Sequence, residues 1–114
     1  MAAKADPHRF DDLFAPFGPV QLRRLFSGEG VYANGPIIGL VVDERLYLKT
    51  DSASRAAFTA EGCKPFYFRK DGKRIASSYF AIPDRLYDAP EELADWAQQA
   101  QRVSRAKPKK KKRK

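Results

Sequence analysis

One cysteine, one histidine and a terminal run of cations are the side chains of this 114-residue chain whose types invite a chemical reading. A thiol attacks as the thiolate and needs an activating neighbour to become one. Cys63 follows Gly62, and Lys64 adjoins it in sequence, which is not geometry. His8 stands near the N-terminus, a poor place to hold a general base. Ser77 and Ser78 sit in an extended stretch with no positioned histidine to complete a triad. Asp84, Asp88, Glu91, Glu92 and Asp95 cluster around a helix start, where the helix dipole accounts for them. No His/Cys grouping has metal-ligand spacing. Gly28-Glu29-Gly30 lacks the Gly-Lys-Ser/Thr ending and following helix of a phosphate loop. These residues predict a non-enzyme without catalytic residues, metal or cofactor.

The cations carry the stronger signal. The chain holds 22 Lys and Arg against 14 Asp and Glu, a net charge of +8. Arg105, Lys107, Lys109, Lys110, Lys111, Lys112, Arg113 and Lys114 fall in the last ten residues, with no acid among them. Residues 1–104 therefore balance, at fourteen of each sign. A neutral body with a polycationic tail is the reading. Such a tail neutralises nucleic-acid phosphates and releases counterions, with a log–log salt slope of about −5 to −7 on duplex DNA. It reads no bases. A solvated solubility tail is the plainer alternative, but eight cations in ten residues exceed what solubility needs. An anionic membrane surface attracts the same charges, yet no amphipathic helix or lipidation motif accompanies them.

The periodicity places these groups on elements. Phe10, Leu13, Phe14 and Phe17 form one stripe of a helix over 7–15, stopped by Pro16 and Gly18-Pro19. Val20–Phe26 reads as a strand, Ser27-Gly28-Glu29-Gly30 as a flexible turn, and Val31–Ala33 as a short strand. Asn34-Gly35 is a hairpin signal. Ile37–Val42 is an unbroken apolar run, a strand covered on both faces. Asp43-Glu44-Arg45 turns the chain, and Leu46 and Leu48 point inward from the next strand. A second helix over 52–61, capped by Asp51 or Ser52, offers Ala53, Ala56, Ala57 and Ala60 for close approach to a sheet, with Gly62 ending it. Phe66–Arg69 and Ile75–Ile82 pair across a Lys70-Asp71-Gly72-Lys73 turn. Asp88 and Glu91 read as a capping box for a last helix with the stripe Leu93, Trp96, Ala97, Ala100 and Val103.

The order αββββαββα predicts one α+β domain over 7–104: an antiparallel twisted sheet of about six strands with three flanking helices. Residues 1–6 and 105–114 are expected to be disordered. One cysteine excludes a disulfide framework. With no signal peptide and no membrane-length apolar run, the expected location is the cytoplasm, with nucleoid association through the tail. Arg23, Arg24, Lys49, Arg69 and Lys73 are auxiliary candidates for phosphate contact. Ion pairing is the commoner role for Arg23 and Arg24. Tyr47, Lys49, Tyr67, Arg69, Lys73 and Tyr79 are candidates for a sheet face on which bases stack. Core and rim packing is the preferred reading of those aromatics, since no RNP-type motif is present.

Five fragments occur in order: Arg24-Leu25-Phe26-Ser27-Gly28, Leu46-Tyr47-Leu48-Lys49-Thr50-Asp51, Pro65-Phe66-Tyr67, Ser77-Ser78-Tyr79 with Ile82-Pro83, and Glu92-Leu93-Ala94-Asp95-Trp96-Ala97. Together they resemble the N-terminal domain of the TfoX/Sxy competence regulators over roughly residues 9–103. The resemblance implies a secretion-chaperone-like fold, a bacterial source, and regulation of competence genes alongside the cyclic-AMP receptor protein. It supplies no catalytic set. A Lys-rich tail here follows where full-length members carry a helical second domain, so a single-domain member is expected.

Two functions follow as expectations. The first is a small TfoX-like regulatory or nucleoid-associated accessory protein, whose body meets a transcription regulator or other protein while the tail holds DNA or RNA non-specifically. The second is a homodimeric protein-binding adaptor or chaperone-like module with an incidental tail. Neither involves a membrane.

Overall fold

The computed structural model describes residues 8–25 and 28–106. Helix α1 (Asp11–Phe14) leads into strands β1 (Gln21–Leu25), β2 (Gly28–Tyr32), β3 (Ile37–Val42) and β4 (Arg45–Lys49). Helix α2 (Ser52–Ala60), strands β5 (Pro65–Lys70) and β6 (Lys73–Ala81), a 3-10 stretch at Asp84–Asp88 and helix α3 (Pro90–Arg105) follow. The six strands form one sheet in the order β1-β2-β3-β4-β6-β5, with every pairing antiparallel. This is the expected α+β architecture.

Two-residue turns join the inner strands. Val42 pairs with Arg45 across Asp43-Glu44, and both turn residues have positive φ, at 53° and 61°. The β5–β6 turn, Asp71-Gly72, has the same sign at both positions, at 54° and 77°. Positive φ at both central residues is the geometry that matches the twist of a hairpin.

The helices share one face. Leu46 and Leu48 are fully buried there, with Val31, Val41, Phe80, Leu86, Leu93 and Ala97. Each buried aliphatic side chain of this kind contributes about 1.5–3 kcal/mol. Phe58 of α2 meets Trp96 of α3 edge-on at 4.8 Å between ring centres. The stripe Phe10, Leu13, Phe14 and Phe17 packs on this core, although α1 itself spans four residues. Pro16 has no N–H with which to extend it.

Four local expectations are corrected. Gly28, Glu29 and Gly30 lie in β2 rather than in a turn. Their pairing with β1 and β3 satisfies backbone groups that a turn would leave to water. Ala53, Ala56, Ala57 and Ala60 are exposed. Helix α2 instead buries Ser54 and Phe58, because one large ring reaches the core that four methyl groups cannot. Asp88 closes the 3-10 stretch, so α3 begins at Pro90 after Ala89 with no side-chain cap. Proline at the first helical position needs no N–H partner. Arg45 belongs to β4 rather than to the turn before it. Asp51 caps α2 as expected, its carboxylate accepting from Ser54 N–H at 2.8 Å. Gly62 ends α2 with φ 79°. Phe26, Ser27, the expected disordered segment 1–6 and most of the tail lie outside the described residues.

Candidate nucleic-acid interface

Charge is segregated by element. The six strands carry eight cations, Arg23, Arg24, Arg45, Lys49, Arg69, Lys70, Lys73 and Arg74, against one carboxylate, Glu29. Arg9 occupies that carboxylate with hydrogen bonds from its guanidinium. Among the described residues the remaining acids sit on helices, their caps and turns. A body with no net charge therefore presents a cationic sheet, which the summed composition hides.

Register assigns each cation a face. Directly paired residues share a side of the sheet, and neighbours along a strand alternate. Leu46, Leu48 and Phe80 face the helices. Arg45, Tyr47, Lys49, Tyr79 and Ala81 therefore face away, with Leu40 opposite Tyr47. Arg23 also lies on this helix-free face, its guanidinium 5.4 Å from the Tyr32 ring centre. The Lys49 ammonium stands 5.0 Å from the Tyr79 ring centre and donates to Ser78 Oγ at 3.3 Å. Tyr47 and Phe66 meet edge-on at 5.6 Å. Burial, with a smaller contribution from Tyr32, pushes the Tyr79 phenol upward.

The candidate stacking face is thus divided. Tyr47, Lys49, Lys73 and Tyr79 share the helix-free side. Tyr67 and Arg69 point to the other side, as alternation with Phe66 and Phe68 requires. Arg24 lies across from Glu29 on the helix side, and neither Arg23 nor Arg24 makes an ion pair among the described residues. Arg45 pairs loosely with Asp84 at 3.6 Å.

Beyond Tyr79, β6 no longer pairs with β4. Strands β5 and β6 run on together as a two-stranded ribbon, with Tyr67 to Arg74 all exposed. Arg69 is directly opposite Arg74, and Lys70 directly opposite Lys73. Arg69 donates to Gly72 O at 3.3 Å, and the Arg74 guanidinium lies 4.3 Å from the Tyr67 ring centre. Lys70, Arg74 and Arg45 are interface candidates that the sequence reading missed. Counting charge strand by strand, rather than over the whole body, would have found them.

Arg105 is exposed at the end of α3, and Lys107 and Lys109 to Lys114 lie outside the described residues. Ser104 Oγ donates to Ile37 O, which fixes the end of α3 beside the start of β3. Strand β4 returns toward that same end, and the ribbon continues past it.

The TfoX N-terminal domain model matches residues 12–104. The chain belongs to this family. A relative, the DNA transformation protein TfoX1 of Aliivibrio fischeri (strain ATCC 700601 / ES114), is 28% identical over 97 residues, covering 85% of this chain and 46% of the relative. The chain thus spans about half the length of that protein. Within this TfoX N-terminal domain the matched region includes both the helix-free face and the ribbon.

The other reactive groups of this TfoX domain are held quietly. Cys63 lines a cleft with Arg45, Tyr47, Glu61 and Arg85. Burial, then the Glu61 and Asp84 carboxylates, push its thiol upward, against thiolate formation at neutral pH. His8 Nδ1 lies 3.0 Å from Asp11 Oδ2 on the surface. Among the described residues no three of His, Cys, Asp and Glu gather to hold a metal ion, and no helix is long and apolar enough to cross a membrane.

Proposed function

We propose that this TfoX-family protein is a small, non-enzymatic regulatory accessory protein of the competence type. Its polycationic tail engages DNA or RNA without base specificity, and its body meets a protein partner, such as a transcription regulator. Family membership supports the regulatory role, as does the relative's name as a DNA transformation protein. The observation that carries the nucleic-acid reading is the charge of residues 105–114, eight cations and no acid. Counterion release supplies the affinity, and the protein partner supplies specificity while the tail raises local concentration. The site of action in this reading is the cytoplasm, at the nucleoid.

Fluorescence anisotropy with labelled DNA and RNA duplexes tests it across a salt series. A chain ending at Ala106, one residue past α3, lacks seven of the eight terminal cations. The full chain binds with a steep slope, and the shortened chain loses about 5 to 6 from that slope by the rule of ~0.9 per contact. An unchanged slope after shortening removes the tail from the mechanism.

A further inference from the structure

The ribbon of β5 and β6 carries an arrangement that folding alone does not explain. Like charges directly opposite each other on paired strands destabilise the pairing. Here two consecutive opposed pairs are like-charged, Arg69 with Arg74 and Lys70 with Lys73. A two-stranded hairpin is already marginal in water, and this one has no third strand beside its outer half. Its single acid, Asp71, sits in the turn. The large hydrophobic side chains exposed among the described residues, Tyr67 at 38% and Phe68 at 41%, stand on the same ribbon.

The cations occupy both faces. Lys70 and Lys73 share the side of Phe68 and Ile75, while Arg69 and Arg74 share the side of Tyr67 and Ala76. A flat anionic surface would engage one pair and leave the other in solvent. A groove with phosphates on both walls engages both. The major groove of B-form DNA is about 12 Å wide and admits a two-stranded β-ribbon. From Ser77 to Lys73 the ribbon projects roughly 13 Å by strand rise, more than the ~8.5 Å depth of the groove. Phe68 and Tyr67 then meet sugar and thymine-methyl surface, which accounts for their exposure.

We propose that the β5–β6 ribbon inserts into the major groove of duplex DNA, with Arg69, Lys70, Lys73 and Arg74 contacting phosphates on the two walls. This deepens the nucleic-acid reading above and rests on it, but it assigns a separate element. Ribbon and α3 terminus lie at one end of the molecule, so the same duplex is within reach of both.

The test uses the full chain and a mixed-sequence DNA duplex, with an RNA duplex of the same sequence as control. The RNA carries the same phosphates, but its A-form major groove is too deep and narrow for side chains to read. Three proteins are compared by anisotropy across salt: the native chain, a ribbon variant (Arg69→Gln, Lys70→Gln, Lys73→Gln, Arg74→Gln) and a tail variant (Lys109→Gln to Lys112→Gln). The ribbon variant is expected to lose at least tenfold in DNA affinity and about 3 to 4 in salt slope, with less than a threefold change on RNA. The tail variant weakens both alike. Equal losses on DNA and RNA, or none on DNA, overturn the groove assignment. If the tail variant alone weakens binding, the ribbon proposal fails while the tail reading stands. If neither variant weakens binding, both fail. Acetylation of the native protein gives a reading that needs no variant: Lys70 and Lys73 should be protected by DNA and not by RNA. Equal reactivity with and without DNA overturns the proposal.

Discussion

Arg9 and Glu44, thirty-five residues apart, meet in two hydrogen bonds of 3.0 Å, Nε to Oε1 and Nη2 to Oε2. The same guanidinium also holds Glu29. One side chain before α1 thereby ties the N-terminal segment to β2 and to the β3–β4 turn. That turn needs the tie, because Asp43 and Glu44 both have positive φ without a glycine. Hydrogen bonds donated to Glu29, then to Glu44, hold the Arg9 guanidinium firmly charged. Replacing Arg9 by Gln is expected to lower stability by about 1–2 kcal/mol, between the range for charge-assisted hydrogen bonds and that for surface pairs. Urea unfolding followed by circular dichroism measures it; an unchanged midpoint would leave the tie without energetic weight.

Tyr87 satisfies a backbone group of β4. Its hydroxyl accepts the Leu46 N–H at 2.7 Å, at a position fully shielded from water. Tyr87→Phe leaves that N–H without a partner and should destabilise the fold by about 1–3 kcal/mol. Hydrogen exchange at Leu46 should accelerate more than at Leu48, a contrast that a general loss of packing does not produce.

Gly39 is fixed by close approach. A Cβ there would stand 2.3 Å from the Tyr47 carbonyl oxygen of β4, and backbone does not yield cheaply. Gly39→Ala is expected to cost at least about 2 kcal/mol, toward the upper part of the range for overpacked cores. A thermal melt unchanged within about 2 °C would contradict it.

Arg85 sets an acid-dependent contribution. Its guanidinium bonds Glu92 at 2.6 Å and Glu61 at 3.2 Å, holding both carboxyls below the ordinary glutamate range. A carboxyl whose folded pKa is depressed stabilises fully above its unfolded value, about 4.3 for glutamate, and loses that stabilisation as pH falls through the folded value. The native protein should therefore exceed Arg85→Gln in melting temperature at pH 7, and the gap should close from about pH 4.5 downward. Because all three groups are largely solvated, added salt should narrow the neutral-pH gap as well. A gap independent of pH would mean that Arg85 acts through packing.

Local signals carried much of the fold. Alternation at Leu46 and Leu48, the Asn34-Gly35 and Asp71-Gly72 turns, and the three-residue spacing of Leu93 and Trp96 each act over a few residues and were legible. Gly28 and Gly30 were not, because their extended state comes from pairing, Gly28 with Leu25 and Gly30 with Arg23 and Leu40, and not from any strand preference of glycine itself. The alanines of α2 misled for a similar reason: periodicity marks a face, but Phe58 alone decided which face turned inward. At the interface, Arg23, Lys49, Arg69 and Lys73 stood out by type. The opposition of Arg69 to Arg74 is a matter of register, and register is set by the whole hairpin.

The placement of α3 has an electrical consequence. Ser104 seats its last turn beside Ile37, at the end where the ribbon projects. Asp43, Glu44 and Asp84 gather at the opposite end around Arg45 and Tyr87. The molecule is therefore a dipole despite its balanced body. A polyanion at a distance exerts a torque on such a molecule before any contact forms. It turns the ribbon and the end of α3 foremost and sends the acidic end outward, so that encounters begin already aligned.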